Sequence, residues 1–399
     1  MVAFSTRLAL APAVLGLFLF ACGGSETEAD AALDADALDN IAAQSTQAIC
    51  GAGQPGFARC HSFVLSGSFS PDAAGKPKGL GAADLASAYN LPKTGQSATV
   101  AIVDAYDDPN AEADLAVYRK QFGLAACTSK SGCFKKVGQS GGATLPKPDP
   151  GWAQEIALDL DMVSAACPSC KILLVEASSP SMADLGAAIN TAVKLGAVAV
   201  SNSWGGAETS SETSFDARYL KHSRVLITAS SGDDGYGAEF PAASRYVLAV
   251  GGTRLAKSSA SRGWSERAWT KGGSGCSQYE TKPAWQSDAS CKKRMVADVS
   301  AVADPDTGVA VYVTYGDSKG WGVFGGTSAA SPLVAGIFAF TGTAAQGPGF
   351  AYAHPKAFFD AKTGSNGSCT TSYFCAGKTG YDGPTGLGTP NAKELVSAK

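Results

Sequence analysis

The 399-residue sequence contains few groups that could act as bases at neutral pH. Histidine occurs three times, at His61, His222 and His354, and none of the three lies in a motif typical of catalysis. A serine hydroxyl becomes a nucleophile when a neighbouring base takes its proton, and that base is usually histidine. The sequence therefore does not predict a Ser–His hydrolase, and acid–base chemistry would have to come from carboxyl groups.

The sequence also lacks any block of positive charge. Lysine and arginine total 32 against 35 aspartate and glutamate residues, which gives a formal net charge of −3. Nucleic acid is therefore not an expected partner. Hydrophobic residues make up 45% of the chain and there are 47 glycines, so the composition is that of a loop-rich globular protein. We expect a monomer.

Long apolar runs are missing except near the N-terminus. Arg7 precedes the apolar residues 8–20, a run too short for a membrane span but typical of a signal sequence. The ending Leu-Phe-Ala-Cys22 resembles a bacterial lipobox, although Phe20 stands where a small residue is more usual. Residues 1–22 are thus predicted to be a signal peptide, and 23–46 an acidic flexible tether. The chain is expected to be exported, either anchored to the membrane by lipid on Cys22 or extracellular.

The other ten cysteines favour disulfide bonds, because an even number is typical of exported chains. They occur as sequence neighbours, and we predict bridges between those neighbours: Cys50 with Cys60, Cys127 with Cys133, Cys167 with Cys170, Cys276 with Cys291, and Cys369 with Cys375. Cys167-Pro-Ser-Cys170 could instead be a redox pair, but it follows a predicted helix rather than starting one. No zinc site is expected, because no histidine lies near these pairs.

From about residue 84 onwards, predicted strands alternate with predicted helices. The strands are 98–104, 171–177, 197–204, 225–231 and 246–250, and the helices between them are 110–122, 152–166 and 181–194. Strands that are apolar on both faces and alternate with helices indicate an α/β fold with a mostly parallel central sheet, covered by helices on both faces. Residues 254–320 are expected to be mostly loop, with short strands such as Val309–Thr314. We predict one domain over 84–399, preceded by a short segment at 47–83.

Two acids in the predicted helix 152–166 could supply the missing base. Glu155 and Asp159 are spaced i and i+4 on one face, and partial burial would make them share a proton. Glu155 could then accept a proton from a serine, with Asp159 orienting it. Two acids on a helix are more often a solvated surface, but the apolar residues around these two favour burial. Asp161 is expected to face solvent or to be a structural acid of the helix.

Two further motifs are ambiguous when each is taken alone. Phe-Gly-Gly-Thr-Ser328-Ala-Ala-Ser-Pro332 precedes an apolar helix and could present a nucleophile, or could be an ordinary helix start. Ser-Gly-Asp233-Asp follows the strand at 225–231 and could donate a hydrogen bond to an oxyanion if Asp233 stays protonated. It could equally be a turn that ends a strand.

The three motifs together, in this order, resemble those of the sedolisin family, the serine-carboxyl peptidases with a subtilisin-like fold. Further stretches agree, and the resemblance covers about residues 84–392: SNSWGGAE (201–208), FPAASRYVLAVGGTRL (240–255), ADVSAVADPDTGVAVY (297–312) and TGLGTP (385–390). The resemblance implies that Ser328 is the nucleophile, Glu155 the general base and acid, Asp159 its partner and Asp233 the oxyanion stabiliser. It also suggests, more weakly, that Asp104 and Trp204 extend the hydrogen-bond network.

The resemblance further implies one structural calcium ion near the C-terminus. Calcium prefers six to eight oxygen ligands. Side chains of Asp360 and Asp382, with the carbonyls of Ala361, Lys378 and Gly380, would be the protein ligands. Lys378 stands where glycine is more usual, and a metal-free Gly-rich turn is the alternative.

One feature departs from the family pattern. Many sedolisins carry a long folded prosegment, but about 60 residues separate Cys22 from residue 84, where the predicted domain begins. The segment 47–83, which contains Cys50 and Cys60, is therefore either a short prosegment or part of the mature fold.

The sequence thus predicts an acid-active endopeptidase that cleaves peptides or proteins. The alternative is a catalytically inactive, peptidase-like surface binding protein, which the intact set of Glu155, Asp159, Asp233 and Ser328 argues against. An ordinary subtilisin-type peptidase would need a His-Gly-Thr helix start, which the sequence lacks.

Overall fold

A computed structural model describes residues 1–3, 44–317 and 319–399. The predicted apolar signal segment, Cys22 and most of the acidic tether lie outside the described residues. Within them, no helix has both the length and the apolar character needed to cross a membrane.

Strands are numbered in chain order over the described residues. They are β1 Thr46–Ala48, β2 Arg59–Cys60, β3 Phe63–Leu65, β4 Thr99–Ala105, β5 Phe134–Gly138, β6 Lys171–Ala177, β7 Ala199–Asn202, β8 Trp204–Ala207, β9 Leu226–Ser230, β10 Glu239–Phe240, β11 Leu248–Lys257, β12 Trp264–Ala268, β13 Gly275–Cys276, β14 Met295–Val296, β15 Val299–Val302, β16 Val309–Val313, β17 Gly320–Gly325, β18 Phe358–Phe359 and β19 Thr389–Pro390.

The α-helices of the described residues are numbered in the same way. They are α1 Ala82–Ala88, α2 Ala111–Gln121, α3 Pro150–Ala166, α4 Met182–Lys194, α5 Glu212–Phe215, α6 Thr327–Thr341, α7 Gly349–Ala353 and α8 Ala392–Ser397.

The central sheet has the strand order β12-β11-β9-β7-β4-β6-β5, with β15 also paired to β11. Every pair is parallel except β11–β12. Strands such as β4, with the sequence TVAIVDA, are buried on both faces because helices cover both sides of the sheet. Separate apolar clusters fill the two sides. The predicted fold class is confirmed.

The N-terminal segment pairs with two smaller sheets beside the central one. β1 and β3 join β17 and β16, and β2 lies on the edge of β8, whose other neighbour is β10. All of these pairings are antiparallel. Residues 46–65 are therefore held against β8 and β17, on both sides of the start of α6.

The five predicted disulfides between sequence neighbours are all formed. The structure bonds Cys50 to Cys60, Cys127 to Cys133, Cys167 to Cys170, Cys276 to Cys291, and Cys369 to Cys375. Cys167 directly follows α3 and Cys170 directly precedes β6, so this pair closes the turn between a helix and a strand. No group of three or more His, Cys, Asp or Glu side chains suited to a metal ion occurs among the described residues.

Two of these bridges lie outside the central sheet and fix loops near the C-terminal half of the chain. Cys291 is buried and packs with Met295 and Phe374, and Cys276 and Cys369 lie against the same small cluster. Cys375 closes a six-residue separation to Cys369 within the loop that also contains the predicted calcium ligands. The disulfides there therefore replace part of the apolar core that such Gly-rich loops cannot supply.

Two parts of the chain differ from the predictions. The region 254–320 contains the short strand expected at 309–314 as β16, and also the buried strand β15, which was not predicted because its pairing is with the distant strand β11. The strand predicted at 197–204 is divided at Ser203: β7 stays in the central sheet, while β8 leaves it to pair with β2 and β10. This division opens a cleft at the carboxyl end of the sheet.

Candidate active site

Helix α3 carries two fully buried carboxyl groups, Glu155 and Asp159. It begins at Pro150, and the Asp149 side chain caps it by accepting hydrogen bonds of 3.0 Å from the amides of Gly151 and Trp152. Almost every residue from Trp152 onwards is buried. The interpretation of these acids as solvated surface is therefore wrong.

Asp104 and Glu176 extend the acidic cluster from the carboxyl ends of two neighbouring strands. They lie opposite each other in the β4–β6 register, and both are fully buried. Burial, with the charge of Glu176, raises the pKa of Asp104 to about 8, and burial raises the pKa of Glu176 to about 9. Glu176 was not singled out from the sequence, although it is the second-last residue of β6, as Asp104 is of β4.

Burial and a neighbouring negative charge also raise the pKa values of the two acids of α3. Burial raises the pKa of Glu155 and of Asp159 well above their usual range, and the charge of Asp104 raises both further. The Ser62 hydroxyl donates a hydrogen bond to Glu155, and this hydroxyl and the nearby hydroxyl of Ser328 both oppose the shift of its pKa. A protonated acid and an ionised one can therefore coexist here near neutral pH.

Ser328 is the second residue of α6 and is fully buried. β17 leads directly to it through Gly326, whose φ of 101° is a conformation that favours glycine. The Ser328 hydroxyl lies within reach of Glu155, and it also donates to the Ser203 carbonyl over 3.1 Å. The predicted nucleophile and base thus meet, although they are 173 residues apart in the sequence.

Asp159 contacts the site through Ser203. The Ser203 hydroxyl lies 2.8 Å and 2.7 Å from the two carboxylate oxygens of Asp159. The sequence analysis did not single out Ser203; its position directly before Trp204, where the chain leaves the central sheet, is the signal that could have found it. The charges of Asp104 and Glu155 help to raise the pKa of Asp159, and Asp159 in turn fixes the Ser203 hydroxyl.

Asp233 follows β9 and faces the start of α6. Its Oδ1 accepts hydrogen bonds of 2.8 Å from both the amide and the hydroxyl of Thr327. Its Oδ2 is buried and has no hydrogen-bond partner among the described residues. Burial raises the pKa of Asp233 to about 6, against the charge of His61. At acidic pH this oxygen is a buried O–H with a free donor.

The structure places a histidine beside Ser328, but not as its base. The His61 ring hydrogen-bonds to Ser230 over 2.8 Å and to Glu239 over 2.9 Å. It is the His61 backbone that contacts the serine: its amide lies 3.1 Å from Oγ, and its carbonyl accepts from the Ser328 amide over 2.9 Å. Ser62, the next residue, donates to Glu155.

A groove of about 1060 Å³ follows β8 away from Ser328. Its walls are the segment 52–57, the region of α5, and the loop 234–240. Aromatic side chains such as Phe57 and Phe215 line it, and so do the acids Glu212 and Glu239. The groove has room for several side chains of an extended peptide.

Trp204 and Asp161 each form a defined hydrogen bond to the backbone. The Trp204 indole donates to the Val103 carbonyl over 2.8 Å, which ties β8 to β4 without touching an acid. Asp161 is buried rather than solvent-facing, and it accepts from the Tyr312 amide over 3.1 Å. Of the two alternatives predicted for Asp161, a solvent-facing position is wrong because β16 covers that side of α3, and a structural acid of the helix is confirmed.

The five proposed calcium ligands lie in one C-terminal loop region. Asp382 accepts from the amides of Lys378 and Thr385 over 2.9 Å each, and Asp360 accepts from the Gly380 amide over 2.8 Å. The other carboxylate oxygen of Asp360 is buried without a partner among the described residues. An orphaned carboxylate oxygen beside a second buried aspartate suits a hard cation, so the residues fit the expected ion.

Three comparisons with known proteins agree with this geometry. The model of the Subtilase family (Peptidase_S8) matches residues 147–353, slightly more than half of the chain. Kumamolisin from Bacillus sp. (strain MN-32) is 32% identical over 362 residues, covering 79% of this chain and 62% of kumamolisin. Sedolisin from Pseudomonas sp. (strain 101) is 34% identical over 204 residues, covering 42% of this chain and 34% of sedolisin. The chain therefore spans less than two thirds of the length of these curated relatives.

Among solved structures, Pseudomonas sedolisin superposes on this chain with a TM-score of 0.68 at 25% identity. That structure is of a serine-carboxyl proteinase complexed with two molecules of pseudo-iodotyrostatin. The match covers 81% of this chain and 98% of that one. Fervidolysin from Fervidobacterium pennivorans, at 15% identity and a TM-score of 0.51, shares the fold. The chain belongs to the subtilase family, and within it the sequence and structural matches identify a sedolisin-family member.

Proposed function

We propose that this protein is a serine-carboxyl peptidase that hydrolyses peptide bonds of peptides or proteins at acidic pH. The observation that carries the proposal is the meeting of Ser328 and Glu155 in a buried site that has no histidine base. A binding protein without catalysis would not need this arrangement, because burying several carboxyl groups together costs stability. The likeness to kumamolisin and sedolisin supports the same activity.

In the first step, Glu155 accepts the hydroxyl proton while Ser328 Oγ attacks the substrate carbonyl carbon. Glu155 then returns the proton to the leaving amine, and an ester on Ser328 remains. Water attacks the ester with Glu155 again as the base, which releases the new carboxyl end. Burial and the charge of Asp104 hold the pKa of Glu155 high enough for it to take and return a proton.

The oxyanion formed in each attack needs hydrogen-bond donors. The Ser328 amide is one, and the free Oδ2 of protonated Asp233 is the other. A carboxyl group donates only while it keeps its proton, and the pKa of Asp233 is about 6. The donor is therefore present in acid and lost as the pH rises above that value.

The groove along β8 would bind the substrate on the amino side of the cleaved bond. The edge of β8 that β2 occupies in this structure could pair with an extended peptide in the same way. Acidic residues on the groove walls favour neutral or basic side chains.

We also propose one structural calcium ion, held by Asp360 and Asp382 with the carbonyls of Ala361, Lys378 and Gly380. Its charge would neutralise two acids and fix the loop between them. The protein is proposed to be exported, since its five disulfides are typical of oxidising compartments. Lipid attachment at Cys22 remains the sequence-based proposal for its anchor.

The experiment that tests the function is a pH–rate profile on a denatured protein substrate. Wild type should be most active in acid and lose activity as the pH rises through about 6, the pKa of Asp233. Ser328→Ala should be inactive, and Glu155→Gln should lose at least about a hundredfold, the usual contribution of a general base. An alkaline optimum, or an active Ser328→Ala variant, would overturn the proposal.

A further inference from the structure

One wall of the groove along β8 is a short and irregular part of the chain. Residues within 206–219 line the groove, through α5 and a π-helical turn at Asp216–Leu220. α5 has four residues, and a helix of that length is not stable by itself in water. Phe215 packs against Phe240 and Tyr219, with ring centroids 5.3 Å and 4.6 Å apart. The shape of this wall therefore depends on the contacts that its side chains make.

Acidic side chains join this wall to the loop that follows β13. Glu208 comes directly after β8, and it accepts hydrogen bonds from the Ser277 hydroxyl and, over 3.0 Å, from the Gln278 amide. The Ser277 oxygen in turn accepts from the Glu280 amide over 2.8 Å. The disulfide at Cys276 anchors the loop, so the loop is the fixed side of this junction.

Four carboxyl groups meet at the junction as two pairs. Glu212 lies within hydrogen-bonding reach of Glu208, and Glu280 within reach of Asp216. Glu212, Asp216 and Glu280 are at most 3% exposed. Each of these three has one buried carboxyl oxygen that no donor of the described residues satisfies. Two carboxyl groups can hydrogen-bond to each other only while one of them holds a proton, so each pair needs a shared proton.

Burial and the neighbouring acid favour the retention of these protons. Burial raises the pKa of both Glu212 and Glu280 to about 8, and that of Asp216 to about 6. The charge of Glu208 raises the pKa of Glu212 further, and the charge of Asp216 does the same for Glu280. Glu280 therefore holds the proton of its pair and donates it to Asp216.

Two arginines act on the pairs in the opposite direction. The charge of Arg245 lowers the pKa of Asp216 and of Glu280, and the charge of Arg294 lowers that of Asp216. Arg294 already forms a buried ion pair with Asp298. The two cations therefore offset part of the negative charge that appears when the pairs lose their protons, but they do not match four ionised acids.

We propose that the pairs Glu208–Glu212 and Asp216–Glu280 are positioning residues that hold this groove wall closed by sharing protons, so that the groove is shaped for substrate in acid and loosens as the pH rises. That the groove binds substrate rests on the function proposed above. In the closed wall, Glu212 donates its proton to Glu208, and Glu280 donates to Asp216. When both members of a pair are ionised they repel each other, and the wall moves away from the loop so that water can solvate the charges.

The pH range follows from the protons that the wall takes up when it closes. In an open wall the solvated glutamates lose their protons near 4.5, whereas the closed wall keeps them to about 8. The stabilisation is fully present below the lower value and is lost as the pH rises through the upper one. Between pH 6 and 7.5, closing takes up one proton on Glu212 and one on Glu280. The closing equilibrium should therefore fall about a hundredfold per pH unit, tenfold for each proton.

Hydrogen exchange of the full-length Ser328→Ala chain tests the closing equilibrium without enzymatic activity. The protection of the amides of residues 212–220, corrected for the intrinsic exchange rate, reports that equilibrium at each pH. Its logarithm should fall with a slope of about −2 between pH 6 and 7.5. A slope near zero would overturn the proposal.

Amide variants in the same background assign the protons to particular residues. Glu280→Gln still donates to Asp216 but takes up no proton, so the slope should become about −1, and with Glu212→Gln added it should be about zero. Glu394→Gln, at an exposed position, is the matched control and should keep the original slope. A slope that both Gln substitutions leave at about −2 would overturn the assignment to these acids.

Kinetics on the denatured protein substrate test the link between the wall and the groove. In the active enzyme at pH 5, Glu280→Ala removes the donor to Asp216. It should raise KM about threefold to tenfold, the usual effect of one hydrogen bond, with kcat changed by less than about twofold. Glu280→Gln should restore the KM of wild type. An unchanged KM in Glu280→Ala would overturn the positioning role.

The two measurements separate this inference from the proposed function. The expected exchange slopes in a chain that hydrolyses nothing at any pH would overturn the peptidase function and the role in substrate binding, but would support the proton-sharing pairs. Acid-dependent hydrolysis with exchange that does not vary with pH would overturn the pairs and support the function.

Discussion

The partner-free oxygen of Asp233 leads to a stability prediction that does not depend on enzymatic activity. The pKa of this side chain is raised from 3.8 to about 6, because it is buried. The folded chain therefore holds the proton more tightly than the unfolded chain. The stabilisation is fully present below the unfolded pKa and is lost as the pH rises through the folded pKa.

The change to make is Asp233→Asn, in the Ser328→Ala background to prevent self-digestion. Asparagine keeps an acceptor for Thr327 and a neutral N–H donor in place of the protonated Oδ2, but it has no proton to lose. A pKa difference of about 2 units corresponds to about 3 kcal/mol at pH values above 6. The variant should thus be about 3 kcal/mol more stable than its parent at pH 7.5, and nearly equal to it at pH 3.5.

The assay is urea unfolding at the two pH values, followed by tryptophan fluorescence and circular dichroism. With a slope of at least about 3 kcal/mol per molar urea, expected for a domain of this size, the midpoint gain at pH 7.5 should be up to about 1 M. Asp317→Asn, at an exposed position, is the matched control and should shift neither midpoint. An equal gain at both pH values, or a loss at pH 7.5, would refute the assigned burial and protonation of Asp233.

Three further predictions follow from buried polar contacts. Ser203→Ala removes the hydroxyl that binds Asp159, and it should lower kcat by about tenfold with little change in KM. Ser203→Thr keeps a hydroxyl and should retain most of the wild-type kcat. An unchanged kcat in Ser203→Ala would contradict the role of Ser203. Asp298→Asn leaves the guanidinium of Arg294 buried without its charge partner, and should cost about 3–5 kcal/mol in urea unfolding; a loss below about 1 kcal/mol would contradict this. Chelation by EGTA should lower the Tm of wild type but not that of Asp382→Asn, and a Tm insensitive to EGTA in wild type would argue against the calcium proposal.

The sequence predicted the parts of the site that are encoded locally. Glu155 and Asp159 lie on a long apolar helix, so their spacing and burial could be read from residues 152–166 alone. Asp104 ends an apolar strand, and the carboxyl ends of parallel strands are where sites form. The order of these motifs then added the link to Ser328, which no local pattern could supply.

The parts that the sequence did not predict depend on pairing between distant segments. β2 and β3 have two and three residues, too few to show a period, and their partners β8 and β17 are rich in glycine. Ser203 gains its role only because the chain leaves the central sheet at that point. His61 was read as uninvolved because a histidine near a serine is expected to contribute its ring, whereas here the backbone makes the contact.

The proposed activity at acidic pH follows from the number of buried acids in the site. Asp104, Glu155, Asp159 and Glu176 are all fully buried, and within the described part of the chain the cation that contacts one of them is Lys136, 3.6 Å from Glu176. A cluster of that kind cannot be fully ionised in a low-dielectric interior, so it holds protons well above the pH at which free carboxyl groups lose them. A serine nucleophile without a histidine base depends on these retained protons. One carboxyl group must be able to take a proton, the acids beside it must stay neutral, and Asp233 must donate a hydrogen bond to the oxyanion. The pKa of Asp233 is about 6, whereas those of Asp104 and Glu176 are about 8 and 9. As the pH rises, the oxyanion donor should therefore be lost first, and ionisation of the buried cluster should lower the stability at higher pH.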